Sequence, residues 1–206
     1  MAPPKCRCRE PLWFVCYKRN GEYMSAFSIR SLQESDIPLI VSFWERCTPA
    51  QLDEMAIDSA RVPSGEQWKV HLNKLLETPD TQADACVVVW QADDKAIGFT
   101  YASDLVSGET ARIQFYLFDA AYLGKGHSKT LVSQSVVELY KRFSLMAILA
   151  EVRTTNERAN KTLQKIGFPL IKKYSGLAIN FGKTVELNRF SIDYQVAKSY
   201  LKRNRT

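Results

Sequence analysis

The chain reads as a mixed α/β (α+β) domain with a mostly antiparallel sheet of six to seven strands flanked by helices. Three observations predict this. Residues 86–92, 96–106 and 110–118 are β-rich runs separated only by Asp93-Asp94 and Ser107-Gly108, connections short enough for an antiparallel meander. After residue 119 the pattern changes to helix, strand, helix and two strands. The composition, 46% hydrophobic and 24% charged in 206 residues, suits one globular domain with a sizeable core.

Residues 27–32 alternate apolar and polar, as a half-buried strand does. Ser35 is placed to cap a helix that tolerates Pro38 in its first turn and repeats Ile37, Ile40, Val41 and Trp44 at helical spacing. A second short helix is predicted over about residues 50–58. Ser64 and Gln67 form a capping box for a third, with Trp68, Leu72, Leu75 and Leu76 as its apolar face and Thr78-Pro79 as its stop. The meander follows. A loop over residues 119–125 leads into a helix reaching about Phe143, with Leu131, Ser135, Val136, Leu139 and Phe143 as its buried stripe. Residues 147–152 are apolar except for Glu151 and suit a central strand. A helix over residues 157–166 carries Ala159, Leu163 and Ile166 on one face and ends at Gly167. Strands are predicted near residues 169–174 and 183–194.

The net charge of +6 is concentrated at the ends. Residues 1–24 carry five Lys/Arg against two Asp/Glu and residues 195–206 carry four Lys/Arg and no acid, which leaves −1 for residues 25–194. Three segments are therefore expected: a basic, Cys-containing extension over 1–24, outside the native or ordered domain, with Met24 as an alternative start; the domain at 25–194; and a basic tail at 195–206. No nucleic-acid motif accompanies the basic ends, so a nucleic-acid partner is not expected. No apolar run is long enough to span a bilayer, and no secretory signal is evident. Five cysteines, three of them in the first 16 residues, make neither a disulfide framework nor a tetrahedral metal set. Reduced thiols and a cytoplasmic protein without a metal are expected.

The chemistry is concentrated at FYLFDAAYLGKGHSKTLV, where a strand ends at Phe118, a glycine-bearing loop follows, and a long helix starts near Gly126. Such a junction presents unpaired backbone N–H groups at the positive end of a helix, where a phosphate accepts their hydrogen bonds. Gly124 and Gly126 allow close approach, and Lys125 can add a charge. Neither a P-loop nor a Rossmann start fits, because no GKS or GKT follows and the preceding strands form a meander.

The segment resembles motif A of the GNAT superfamily, Q/R-x-x-G-x-G/A, with Leu123, Gly124, Lys125, Gly126, His127 and Ser128 in register. Leu123 and Ser128 depart from the usual residues; the central Gly126 is present. Downstream, AEVRTTNERANKTLQKIGF resembles motif B through Asn156, Ala159, Lys165, Gly167 and Phe168. The likeness covers roughly residues 27–174 and lies nearest the branch holding ribosomal-protein N-terminal acetyltransferases and some aminoglycoside acetyltransferases. It implies acetyl-CoA as co-substrate, its pyrophosphate on residues 123–128 and its pantetheine arm along Tyr116, Leu117 and Phe118, between two strands that splay apart. Asn156 would contact the cofactor or cap its helix. Leu163 stands where many relatives carry a general-acid Tyr, and Ala159 stands where others carry Ser. Glu151 and Tyr116 are the remaining catalytic candidates, each with a plainer reading: an ion-paired Glu and a core Tyr. His127 is expected on the phosphate side and His71 at the surface. The region 44–79, with Trp44, Met55 and Trp68, would wall the acceptor by the same resemblance, although Trp44 and Trp68 read more readily as ordinary core.

The implied function is acetyl transfer from acetyl-CoA to a primary amine: a protein N-terminus, a polyamine, an amino sugar or a small metabolite. The partner is that amine-bearing acceptor, no membrane is involved, and a homodimer is compatible with the chain. A non-catalytic acyl-CoA-binding or regulatory domain is the alternative, favoured by Leu163 and Ala159.

Overall fold

The computed structural model describes residues 27–177 and 184–204, together with the backbone of β1 (Tyr17–Arg19) and β2 (Glu22–Met24), an antiparallel pair. Everything else in the extension expected over residues 1–24, including Cys6, Cys8 and Cys16, lies outside the described residues, as does the predicted strand start near residue 183.

The main sheet runs in the order β3-β4-β5-β6-β7-β9-β8. Its strands are β3 (Phe27–Ser31), β4 (Cys86–Ala92), β5 (Lys95–Val106), β6 (Thr110–Leu117), β7 (Ala147–Arg153), β8 (Leu170–Leu177) and β9 (Thr184–Ile192). Every neighbouring pair is antiparallel except β6 and β7. The meander turns as its sequence demands. Asp93 and Asp94 both hold positive φ, 46° and 64°, the signature of a two-residue hairpin turn whose twist matches the strands it joins.

Alternate residues of β4 enter two different cores. Val87 and Val89 pack with Ile40, Val41, Trp44 and Leu72 of the helices α1 (Ile37–Arg46) and α3 (Gly65–Glu77). Cys86, Val88 and Trp90 pack instead with Leu131, Val136, Leu139 and Phe143 of α4 (His127–Phe143) and with Leu163 and Ile166 of α5 (Glu157–Ile166). The strand period of two thus makes a three-layer sandwich.

Several local expectations need correction. Ser35 does not cap α1; it lies in a 3-10 turn, Glu34–Asp36, ahead of the helix. That turn forms because Asp36 is buried, with Oδ1 2.7 Å from Arg30 Nη2 and Oδ2 accepting the Gln33 N–H at 2.8 Å. The second helix, α2 (Pro49–Glu54), is shorter than predicted because the chain turns at Ala56, whose φ is +59°. Leu76 is 39% exposed and lies outside the apolar face that Leu72 anchors. Residues read as a basic tail from 195 include α6 (Tyr194–Arg203), capped by Asp193 and holding Ala197 and Tyr200 in the core beside α4. A basic count had hidden an amphipathic period.

One topological feature positions the site. β6 and β7 pair over only three residue pairs, Thr110–Ala147 to Arg112–Leu149. Beyond Arg112, β6 continues to Leu117 on β5 alone, and β7 continues to Arg153 on β9 alone. The sheet opens there into a V. Burial along β7 therefore alternates: Ile148, Ala150 and Val152 are buried, while Leu149 and Glu151 face the side of the opening and are partly exposed.

Candidate functional site

The glycine loop lies where β6 ends. Gly124 and Gly126 adopt φ of +73° and +83°, conformations that side chains disfavour, and Gly126 is the residue at which α4 begins. No side chain caps α4. The Lys129 N–H reaches back to the Gly126 carbonyl at 3.3 Å, which leaves the first-turn N–H groups of His127 and Ser128 for an anion. The loop is held from both ends. Asp119 accepts the Ala121 N–H at 2.9 Å and pairs with Lys95 at 2.9 Å. His127 stacks on Phe27 with ring centroids 4.0 Å apart. Burial, and then the charge of Lys125, keeps the His127 pKa below its ordinary value, so this ring is a neutral spacer under the loop. Leu123 and Lys125 are exposed, and Ser128 is half-buried in the first turn of α4.

The V between β6 and β7 opens beside this loop. On its β5 side the end of β6 is fixed, with the Phe118 N–H donating to the Ile97 carbonyl at 3.0 Å. On the other side, backbone groups of β6 beyond Arg112 meet no strand among the described residues and can pair with an extended amide arm. The loop and the V therefore fit a phosphate-bearing cofactor with an amide tail.

A cavity of about 370 Å³ lies on the α1–α3 face of the same opening, within the range of small-molecule sites. Trp44, Trp68, Tyr101, Tyr116, Asp104, Arg112 and Glu151 are among the residues lining it. Trp44 and Trp68 stack face to face, 5.3 Å apart and 4° from parallel, so they serve both as packing and as the cavity wall. Met55 lines it too, as the resemblance implied.

Glu151 faces this cavity with both carboxylate oxygens engaged. Arg112 Nη1 donates to Oε2 at 2.8 Å, and Arg189 Nε donates to Oε1 at 2.7 Å. The Tyr174 hydroxyl also donates to Oε1. Burial works to raise the Glu151 pKa, but the bonds from Tyr174 and Arg189 and the charges of Arg112 and Arg189 outweigh it and hold it below the ordinary glutamate value. A carboxylate so held is a weak base. Tyr116 is buried, with its ring against Trp44 at 4.9 Å and its hydroxyl donating to Gln114 at 3.3 Å. Burial pushes its pKa far up. Asn156 caps α5, accepting the Ala159 N–H at 3.0 Å while its amide reaches the Glu54 carbonyl at 3.3 Å. Leu163 is fully buried in the core of the opposite face.

Other site residues were not legible in the sequence. Asp104 enters the cavity wall because a bulge between Ser103 and Val106 turns the chain, with φ of +49° at Asp104, and its carboxylate lies 3.3 Å from Arg112. Tyr174 and Arg189 arrive from β8 and β9, distant in sequence. His71, expected at the surface, is half-buried, with Nε2 2.9 Å from the Tyr101 hydroxyl.

Residues 40–168 match the model of the acetyltransferase (GNAT) family. No curated protein sequence matches the chain. Among solved structures, a ribosomal L7/L12 alpha-N-protein acetyltransferase in complex with coenzyme A superposes with a TM-score of 0.68 at 15% identity, covering 82% of this chain and 95% of that one. The spermidine N-acetyltransferase from Vibrio cholerae, in complex with CoA and spermine, gives 0.69 at 16% identity, covering 84% and 98%. A ribosomal-protein-S5-alanine acetyltransferase from Vibrio fischeri gives 0.66 at 22% identity, covering 81% and 92%. At these identities the likeness is one of fold.

Proposed function

The chain belongs to the GNAT acetyltransferase family, with acetyl-CoA as co-substrate and an amine as acceptor, and we propose how its residues divide that work. The pyrophosphate of CoA rests on the backbone of residues 123–128 at the start of α4, with Lys125 adding charge from the exposed side. The pantetheine arm lies in the V along the backbone of Tyr116, Leu117 and Phe118. The acceptor amine enters from the α1–α3 side, through the cavity walled by Trp44, Trp68 and Tyr101. Co-substrate and acceptor then meet at the V from opposite sides of the sheet.

The observation that carries this reading is the short pairing of β6 with β7, which ends at Arg112 and Leu149 and joins the loop to the cavity. The co-substrate supplies an activated acyl carbon; the residues of this chain align the amine and keep bulk water away from it. Glu151 fixes Arg112 at the cavity wall and does not itself take the proton. Asn156 acts on the site through the α5 cap. The aromatic walls, with Arg61 and Arg112 balancing Asp104 and Glu151, suit a primary amine that arrives uncharged, carried on a peptide N-terminus or on a polyamine, the acceptor types named for the structural neighbours. We place the reaction in the cytoplasm. Cys47 and Cys86 are free thiols, and among the described residues no helix is long and apolar enough to cross a membrane.

Release of CoA thiol, measured with acetyl-CoA against a panel of peptide N-termini, polyamines and amino sugars, tests the assignment. Saturable turnover with at least one amine is expected, alongside CoA binding by calorimetry. Tight CoA binding with no turnover on any amine would instead favour a binding or regulatory domain.

A further inference from the structure

We propose that Tyr101 and His71 form a proton relay that takes the acceptor amine's proton out of the cavity. The inference rests on the transferase reading above and names a catalytic residue, Tyr101, and the group behind it.

Tyr101 stands on β5 directly across from Gln114 of β6, so its side chain shares the cavity face with Gln114 and lies two residue pairs from Phe99–Tyr116. It lines the cavity. Its hydroxyl lies 2.9 Å from His71 Nε2, at the middle of α3. The His71 ring is bracketed by Trp68 at 5.8 Å and by the Tyr101 ring at 6.0 Å, so its direction is fixed. The other candidates near the cavity are already engaged. Glu151 is held by Arg112, Arg189 and Tyr174, Asp104 pairs with Arg112, and the Tyr116 hydroxyl is buried against Gln114. The second histidine, His127, is stacked on Phe27 at the glycine loop.

Electrostatics agree with the geometry. Burial lowers the His71 pKa; Asp84 raises it and Lys74 lowers it again, and the net is downward. The ring is therefore neutral near pH 7 and able to accept a proton. Burial, with Asp84, Asp104 and Cys86 adding to it, pushes the Tyr101 phenol up to about 12, so it stays protonated and passes a proton on without becoming a phenolate.

The step balances. The amine nitrogen bonds to the acyl carbon and the acyl C–S bond breaks, its electron pair leaving on the CoA thiolate. One amine proton moves to the Tyr101 oxygen as the Tyr101 proton moves to His71 Nε2. The result is an amide, a thiolate and an imidazolium that returns its proton to solvent.

The relay needs neutral His71, so kcat should rise with pH through an acid limb below the ordinary imidazole value of about 6.5. His71→Gln keeps a hydrogen-bonding amide near Tyr101 but cannot titrate; it should lower kcat about 100-fold and erase that limb, with KM changed less than threefold. Tyr101→Phe should lower kcat by a similar factor. CoA affinity should be unchanged in both. NMR titration of His71 in the unliganded protein should show it neutral at pH 7. If the variants lose only thermal stability and keep the wild-type pH profile and kcat, the pair is a structural tie and the relay is wrong. A His71 that is cationic at pH 7 overturns it as well. A wild type that binds CoA yet acetylates no amine removes the transferase reading and the relay together, whereas turnover with both variants unimpaired removes the relay alone.

Discussion

Glu151 sets one carboxylate against two guanidinium groups and a phenol, and that imbalance makes it a residue whose removal is felt twice. Glu151→Gln takes the counter-charge from Arg189 and leaves Arg112 only Asp104 in a partly buried site, a loss of about 1–3 kcal/mol. Because its folded pKa lies below the ordinary glutamate value, the folded state binds fewer protons there than the unfolded state. Its contribution is fully present above the unfolded value and disappears as pH falls through the folded one. Denaturant melts of wild type and Glu151→Gln should therefore differ most at pH 7 and converge below the ordinary carboxylate range. Were Glu151 the catalytic base, the same variant would also lose the acid limb of the kcat profile that its titration would set. The sequence left these two roles open for a physical reason: the partners that decide it, Arg112, Tyr174 and Arg189, come from three different strands.

At the scale of elements, the start of α4 depends on backbone conformation more than on side chains. A Cβ on Gly126 would meet nothing nearer than Lys129 Cε at 3.5 Å, so space is not the constraint. The positive φ is. Gly126→Ala should cost about 1–2 kcal/mol through that conformation alone. It should weaken CoA binding at least tenfold by calorimetry as the first-turn N–H groups lose their aim. Gly108, whose φ is +79° at an open turn far from the loop, supplies the control: Gly108→Ala should cost similar stability and leave CoA affinity intact. The capping boxes at Ser64 and the hairpin at Asp93-Asp94 were readable because their partners lie within three residues. Helix α6 was misread for the opposite reason. Its lysines and arginines dominate a charge count, while the buried Ala197 and Tyr200 become meaningful only against α4.

For the molecule as a whole, α6 belongs to the load on the second core. Ending the chain at residue 193 would uncover the surface now held by Ala197 and Tyr200 and partly by Val196 and Leu201. A loss of roughly 3 kcal/mol or more, and hence a fall in Tm of about 6–12 °C, is expected in a scanning calorimetry trace. Lys202→Gln with Arg203→Gln, which removes charge but keeps the helix, should leave Tm within about 2 °C. Equal Tm for the truncated and full chains would restore the picture of a solvated basic tail.

Local rules were enough for the meander, the glycine-bearing entry to α4, the Asn156 cap and the Gly167 stop, because each is decided by neighbours within a turn or a hairpin. The co-substrate was also readable from the sequence, through the likeness to the GNAT motifs, because the residues that carry that likeness lie in two short contiguous stretches. The cavity beside the V was decided only by tertiary structure. It exists because β6 and β7 stop pairing at Arg112 and Leu149, and it is lined from α1, the segment 55–63, α3, β5, β6, β7 and β9 at once. Which side chains are free to handle a proton there depends on cross-strand charges and burial. Those energies fall off over a few ångströms in space and have no fixed spacing along the chain.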